Sequence, residues 1–140
     1  MSTEQYCTFE LDNLYLGLEA RCVQEVLRAQ PVTEVPLAPY AIRGLMNMRG
    51  QIVLVIDLRR RFGLPDAPPT LRPVNVLIRT EDGLVSLLVD RVGDVLEISR
   101  DDFEPVPETL DGEARSLLRG AHQLPERLLL QLDALRAASV

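Results

Sequence analysis

Three polar side chains set among apolar neighbours carry most of the chemistry this chain offers: Glu25, Asn47 and Arg49. Glu25 ends the short motif Val23-Gln24-Glu25. Asn47 and Arg49 alternate with Met46 and Met48, and Gly50 comes next. An arginine in such company must pair, or reach water or a partner, because burying its charge alone is too costly. Glu25 is the expected mate, since the guanidinium fork matches a carboxylate bidentately. If the pair is buried, losing one member costs about 3–5 kcal/mol. This is the chemistry of recognition.

Catalysis has little to work with. His122 is the single histidine and reads as a solvated or capped side chain. A nucleophilic triad would have to use it, and neither Ser86 nor Ser116 has the flanking glycines of a nucleophile elbow. No histidine or cysteine pair has metal-ligand spacing. All fifteen basic residues are arginine, so the lysine of a phosphate-binding loop is missing. Cys7 and Cys22 read as small buried apolar side chains. Ile52 to Asp57 resembles the strand and terminal aspartate of a response-regulator receiver, but that fold needs a lysine and alternating helices. Asp57 is therefore expected as a turn or cap residue that ends a strand. The expectation is a protein that is not an enzyme and takes no cofactor and no metal.

The elements that would hold these residues are mostly strands. Tyr6 to Leu11 and Leu14 to Leu18 alternate about Asp12-Asn13, a hairpin signal. Ala20 to Leu27 shifts to helical spacing, with Cys22, Val23, Val26 and Leu27 on one face. Pro31, Pro36 and Pro39 impose an extended connection, and Pro39 is expected to open one helical turn that Gly44 ends. Ile52 to Ile56 is a run of five apolar residues, four of them β-branched, expected as a buried strand over 51–58. Four prolines between Gly63 and Pro73 mark a loop or lobe boundary. Val74 to Arg79 and Leu84 to Val89 flank an Asp-Gly turn. Asp94 to Ser99, Ser116 to Leu124 and Arg127 to Leu132 supply further strands, with a short one near Phe103–Val106. Asp133 is placed to cap a final helix. Short strands with regular turn signals mean an all-β sandwich or barrel.

The 140 residues are 46% hydrophobic with a net charge of −6, enough for one compact domain and adverse to nucleic acid and anionic membranes. A nucleic-acid-binding small barrel, the reading from another class, is further opposed by an aromatic content of 4%. No segment reaches the length of a membrane span, no signal peptide opens the chain, and a cytoplasmic location is expected. Residues 43–79 hold seven arginines against two acids, +5, and residues 80–113 hold two against eleven, −9. Such a split suits head-to-tail contacts between related modules.

The order Val23-Gln24-Glu25-Val26, Val35-Pro36-Leu37-Ala38-Pro39, Ile42-Arg43-Gly44-Leu45-Met46-Asn47-Met48-Arg49-Gly50, Ile52 to Arg59 and Leu88 to Val95 resembles the CheW family of bacterial chemotaxis adaptors, from Phe9 to Leu132. The family's usual proline in the buried strand is Leu54 here. The resemblance implies one CheW-like domain over 1–140: two small five-stranded SH3-like β-barrels about a shared apolar core. Lobe one would span roughly 14–72 and lobe two roughly 73–132, the latter joined by the first strand at 6–12, with a short helix over 133–140. It also implies a non-catalytic adaptor coupling the cytoplasmic tips of methyl-accepting receptors to the regulatory domain of the histidine kinase CheA. Such a protein would sit at membrane-associated arrays through its partners, without inserting in the membrane. An adaptor of a non-flagellar pathway that binds the kinase alone is the variant. Partner contact is implied around Val23, Glu25, Gly44, Asn47 and Arg49, and around Val92 and Val95, with Gly44 supporting the surface.

Overall fold

The computed structural model describes residues 2–140. Eleven strands run in order: β1 (Thr3–Leu11), β2 (Leu14–Glu19), β3 (Val23–Arg28), β4 (Ile42–Met48), β5 (Gln51–Asp57), β6 (Val74–Thr80), β7 (Gly83–Val89), β8 (Arg91–Ser99), β9 (Phe103–Glu104), β10 (Leu118–Gln123) and β11 (Leu128–Leu132). Three short helices interrupt them: α1 (Leu58–Arg61), α2 (Gly112–Ser116) and α3 (Ala134–Ala138). The strands form two mixed sheets, ordered β8-β1-β2-β11-β10-β9 and β3-β6-β7-β5-β4. The mostly-β, two-sheet architecture is the expected one. The first sheet has six strands rather than five, and neither ladder closes by hydrogen bonds: β8 and β9 are the edges of one, β3 and β4 of the other.

Each sheet nevertheless wraps around an interior. Met46, Val53, Val55, Leu77 and Leu84 form one apolar cluster, with Leu27 packed against it, so all five strands of the smaller sheet contribute to one inside. Tyr6, Ile98 and Leu129 do the same for the larger sheet. Between the sheets lies the largest cluster, which includes Phe9, Leu11, Leu16 and Leu18 from one sheet and Ile56, Val76, Ile78 and Leu87 from the other. Alternation explains the division, since successive side chains point to opposite faces. β1 sends Tyr6 inward and Phe9, three residues on, to the shared core by that alternation alone; the register slip opposite Cys7 and Phe9 places its extra residue in β8, between Val92 and Val95.

The lobe boundary expected at 72/73 does not match the sheets. β2 pairs with β1 and, in parallel, with β11, while β6 and β7 pair with β3 and β5. The larger sheet thus takes its strands from both ends of the chain. Parallel pairings of β2 with β11 and of β5 with β7 cause this, and they leave no mark on local patterning.

The helix expected over 20–27 is absent. Ala20–Cys22 is one 3-10 turn, and Val23–Arg28 is the edge strand β3. Its residues alternate between half-buried Val23, Glu25 and Leu27 and exposed Gln24, Val26 and Arg28. A helix that short cannot stand alone, whereas β6 offers a ladder. Pro39 opens a hydrogen-bonded turn, Ile42 N–H to Pro39 O at 2.9 Å, but Gly44 lies inside β4 rather than ending a helix. Asp57 and Asp133 cap α1 and α3, accepting from the amides of Arg60 and Arg136 at 3.3 and 3.0 Å.

A buried ion pair also joins the sheets. Arg59 on α1 donates through Nε and Nη2 to the two Asp90 carboxylate oxygens at 2.8 and 2.6 Å. Asp90 links β7 to β8 and accepts the Asp12 amide of the β1–β2 turn at 2.7 Å. Arg59 further donates to Pro65 O at 3.0 Å, tying down the proline-rich loop. Burial pushes the Asp90 carboxyl upward, but the Arg59 hydrogen bonds, the Asp12 amide and the Arg59 charge outweigh it and hold it below the usual range.

Candidate functional site

Met48 and Gln51 are the last paired residues of the β4–β5 hairpin, which leaves Arg49-Gly50 as a two-residue turn. Both have positive φ, 51° and 86°, as a type I′ turn requires. Asn47 Oδ1 accepts the Gly50 N–H at 2.9 Å and locks the turn from the strand side. Glycine suits the second position. Arginine at the first is unusual, because left-handed backbone costs about 1–2 kcal/mol for a residue carrying a Cβ. The Arg49 side chain is 69% exposed, so packing does not repay that strain.

Arg49 Nη2 lies 2.5 Å from Glu25 Oε1. Glu25 stands on β3 and Arg49 at the end of β4, the opposite edges of the five-stranded ladder. The pair therefore spans the seam that backbone hydrogen bonds leave open. A slip in the β3–β6 register between Val23 and Glu25 displaces Gln24 outward, where its Oε1 accepts from Arg79. The structure thus brings Glu25 and Arg49 together, but through one exposed contact rather than a buried fork. The expected energetics change accordingly. A double-mutant cycle with Glu25→Ala and Arg49→Ala, measured by urea denaturation, should give a coupling of about 0.2–1 kcal/mol rather than several.

Gly44 is buried in β4 at φ 149°. A Cβ there would lie 2.2 Å from Thr33 O. The missing side chain lets the incoming connection lie against β4, where Thr33 and Leu45 exchange two backbone hydrogen bonds of 2.8 Å. Gly44 is thus buried beneath that connection rather than presented to solvent.

Val92 and Val95 sit apart from these residues, on β8, the exposed edge of the other sheet. Among the described residues no hydrogen bond or ion pair joins them to Glu25 or Arg49. Register nevertheless shows which way they face. Val92 is opposite Phe9 and Val95 opposite Cys7, and cross-strand partners share a face. Phe9 belongs to the core between the sheets, so both valines line the rim of the inter-sheet face. The slip between them is built by Gly93, whose absent Cβ would lie 2.7 Å from Thr8 Oγ1, and by Thr8 donating to Asp94 O at 2.6 Å. Val23 pairs with Ile78, another inter-sheet core residue, and so faces the same cleft from the opposite side.

Sequence reasoning missed Ile52. The apolar run placed it in a buried strand, yet it is 60% exposed, directly opposite Asn47. It shares the face of Leu54 and Ile56 but lies one step beyond the shared core. Its position beside the Arg49-Gly50 turn was the available signal. Together Ile52, Asn47, Arg49 and Glu25 make an apolar and charged patch at the tip of the smaller sheet.

Other residues read differently in space. His122 is 1% exposed, not solvated, because β10 turns it into the larger sheet between Tyr6 and Phe103. Cys7 and Cys22 are free and half-buried, and burial raises both thiols, with Glu19 adding to the effect at Cys22. Among the described residues no group of three or more His, Cys, Asp or Glu could hold a metal ion, and no helix is long and apolar enough to cross a membrane.

Comparison with known proteins agrees with this fold. The model of the CheW-like domain matches residues 5–139. A chemotaxis protein CheW of Rhizobium meliloti is 34% identical over 114 residues, 80% of this chain and 74% of the relative. A chemotaxis protein CheW of Treponema pallidum is 28% identical over 135 residues, 92% and 78% respectively. The crystal structure of a scaffolding protein, TtCheW of Thermoanaerobacter tengcongensis, superposes with a TM-score of 0.85 at 25% identity, covering 94% of this chain and 90% of that one.

Proposed function

The chain belongs to the CheW-like domain family, and from that premise we propose that it is the non-catalytic adaptor of a chemotaxis-type array, coupling methyl-accepting receptors to the histidine kinase CheA. The observation that carries the proposal is Arg49: a mostly exposed arginine on strained backbone, oriented by Glu25 and Asn47 beside exposed Ile52. Folding gains little from that choice of residue, so an outside partner is the better reason for it. A helical receptor tip would lay its apolar face along Val23, Ile52, Val92 and Val95 and meet Arg49 with an acidic or amide side chain. The kinase regulatory domain would engage other faces, and the split between basic 43–79 and acidic 80–113 suits head-to-tail contact with it. The protein would then work in the cytoplasm at receptor arrays, held there by its partners. Individually moderate contacts suffice, because an array engages many at once.

The test is capture of receptor cytoplasmic fragments and of the kinase regulatory domain. Arg49→Ala and Ile52→Asp should each weaken receptor capture at least about tenfold, with unchanged circular dichroism. Val23→Met, which crowds the cleft, should act the same way. If the wild-type protein captures neither fragment, the adaptor reading fails. If the variants bind like wild type, the surface is misassigned.

A further inference from the structure

On the other sheet from Glu25 and Arg49, the mouth of the six-stranded ladder holds a cavity of about 360 Å³ lined by residues of β1, β2, β9, β10 and β11 and by Arg21 and Arg100. Its floor is a closed relay. Tyr6 O–H donates to Gln131 Oε1 at 3.1 Å, and Gln131 Nε2 donates to Glu19 Oε1 at 3.5 Å. Burial, with Glu19 and Glu4 adding to it, raises the Tyr6 phenol and keeps it a donor. The relay fixes the histidine. A carboxylate only accepts, so the Gln131 amide nitrogen must face Glu19 and its oxygen must face His122. His122 Nε2, 3.0 Å from that oxygen, is then the donor, and in the Nε2–H tautomer Nδ1 is a bare acceptor. Nδ1 is fully buried and has no partner. Unpaired buried polar atoms are rare in folded proteins, and each one calls for a reason.

The cavity wall also supplies an exposed positive charge without a protein partner among the described residues. Arg21 is held by Glu19, and Arg100 by Glu4 at 2.6 Å. Arg119 lines the same cavity, and among the described residues it has neither a hydrogen bond nor an ion pair. Over the histidine lies Phe103, its ring centroid 5.3 Å from the imidazole. Phe103 comes from the two-residue edge strand β9, remains 48% exposed, and rests where a Cβ on Gly120 would lie 2.3 Å from its ring. It packs edge-on against the imidazole without being locked into the core.

We propose that this cavity is a binding site for a small hydroxycarboxylate, its carboxylate paired with Arg119 and its hydroxyl donating to His122 Nδ1 once Phe103 swings aside. The volume lies at the lower end for small-molecule sites. A hydroxyl donor answers the buried acceptor, and an anion answers the free guanidinium. Neither group alone satisfies both. The site lies on the other sheet from Glu25 and Arg49, so it stands or falls separately from the adaptor reading.

The experiment is titration of the full chain with L-malate and with succinate, its analogue lacking only the hydroxyl, monitored by amide chemical shifts and calorimetry. L-malate should perturb β9 and β10 saturably and bind about tenfold more tightly than succinate, because the deoxy acid leaves Nδ1 unpaired. His122→Phe, which preserves the ring stack, should abolish that preference. Arg119→Gln, an exposed change that spares the fold, should weaken both acids about tenfold or more. Absence of saturable binding by either acid overturns the site. Equal affinity for the two removes the role of His122, and full affinity in Arg119→Gln removes the carboxylate contact; either result overturns the proposal.

Discussion

Replacing Asp90 by alanine should destabilise the fold by about 3–5 kcal/mol, because Arg59 would remain buried with only the looser Asp12 contact, at 3.8 Å, to answer its charge. The loss should exceed that of any exposed pair, Glu25–Arg49 included. Arg59 has no escape to water: its side chain is 10% exposed, and it is held by Asp90 and Pro65 O. Chemical denaturation of Asp90→Ala, Arg59→Leu and the double variant Arg59→Met/Asp90→Leu separates the causes. Each single change strands a partner, whereas the double change removes both charges and should recover most of the loss. The pair also sets an acid limit. The folded carboxyl titrates below its ordinary value, so its contribution is present above about pH 4 and disappears as pH falls through the depressed folded value. Wild type should therefore lose its stability advantage over Asp90→Asn as the solution is acidified below pH ~4. An advantage that persists at the acid limit would mean the pair does not stabilise by charge. Arg59 stays charged throughout this range, its value raised chiefly by the Asp90 hydrogen bonds, so the carboxyl alone sets the acid limit of the pair.

Gly44→Val should be the most damaging change at the candidate surface, although the residue is buried. At φ 149° a side chain is strained at about 1–3 kcal/mol, and the Cβ would meet Thr33 O at 2.2 Å and Val32 Cγ1 at 2.6 Å. The backbone at 32–33 has to move, and with it the two hydrogen bonds that cover the β4 edge. A total loss of about 3–5 kcal/mol is expected, together with loss of partner capture even in the fraction that folds. Hydrogen exchange at the Thr33 and Leu45 amides checks the mechanism: both should lose protection in Gly44→Ala while the β1–β2 hairpin keeps its own. Normal protection with lost capture would instead make Gly44 part of the contact surface.

Much of the fold was legible where one local rule acted alone. The Asp12-Asn13 hairpin, the Glu81-Asp82 turn closed by Gly83 at the start of β7 and the caps at Asp57 and Asp133 all arise from turn and cap chemistry. The leucine-rich strands β10 and β11 were legible because Gly120 and Pro125 cut the region too short for helices. Ala20 to Leu27 was ambiguous for a physical reason: Cys22, Val23, Val26 and Leu27 fit a helical face as well as a bulged edge strand, and the partner β6 decides. The nearness of Glu25 to Arg49 was legible from the cost of an unpaired arginine. Its weakness was not, because exposure depends on how the sheet curls. Ile52 was masked by the apolar run it begins. Arg59 hid in a row of three arginines, and Asp90 in an acidic stretch, since nothing local distinguishes the member that turns inward. His122 was misread because its environment comes from Tyr6, Phe103 and Gln131, residues contributed by three other strands.

The parallel pairing of β2 with β11 sets a timetable for synthesis. Leu16 and Gly17 pair with Leu130 and Gln131, which are made long after them. The five-stranded sheet, drawn from 23–89, can assemble while translation continues. The β1–β2 hairpin cannot: one edge waits for β8 and the other for β11. Until β11 is free to pair, that hairpin keeps its β2 flank open even after β8 has covered β1, the condition under which nascent chains stick to one another or recruit chaperones. A chain stalled just short of Leu128 should therefore aggregate, even with the smaller sheet complete.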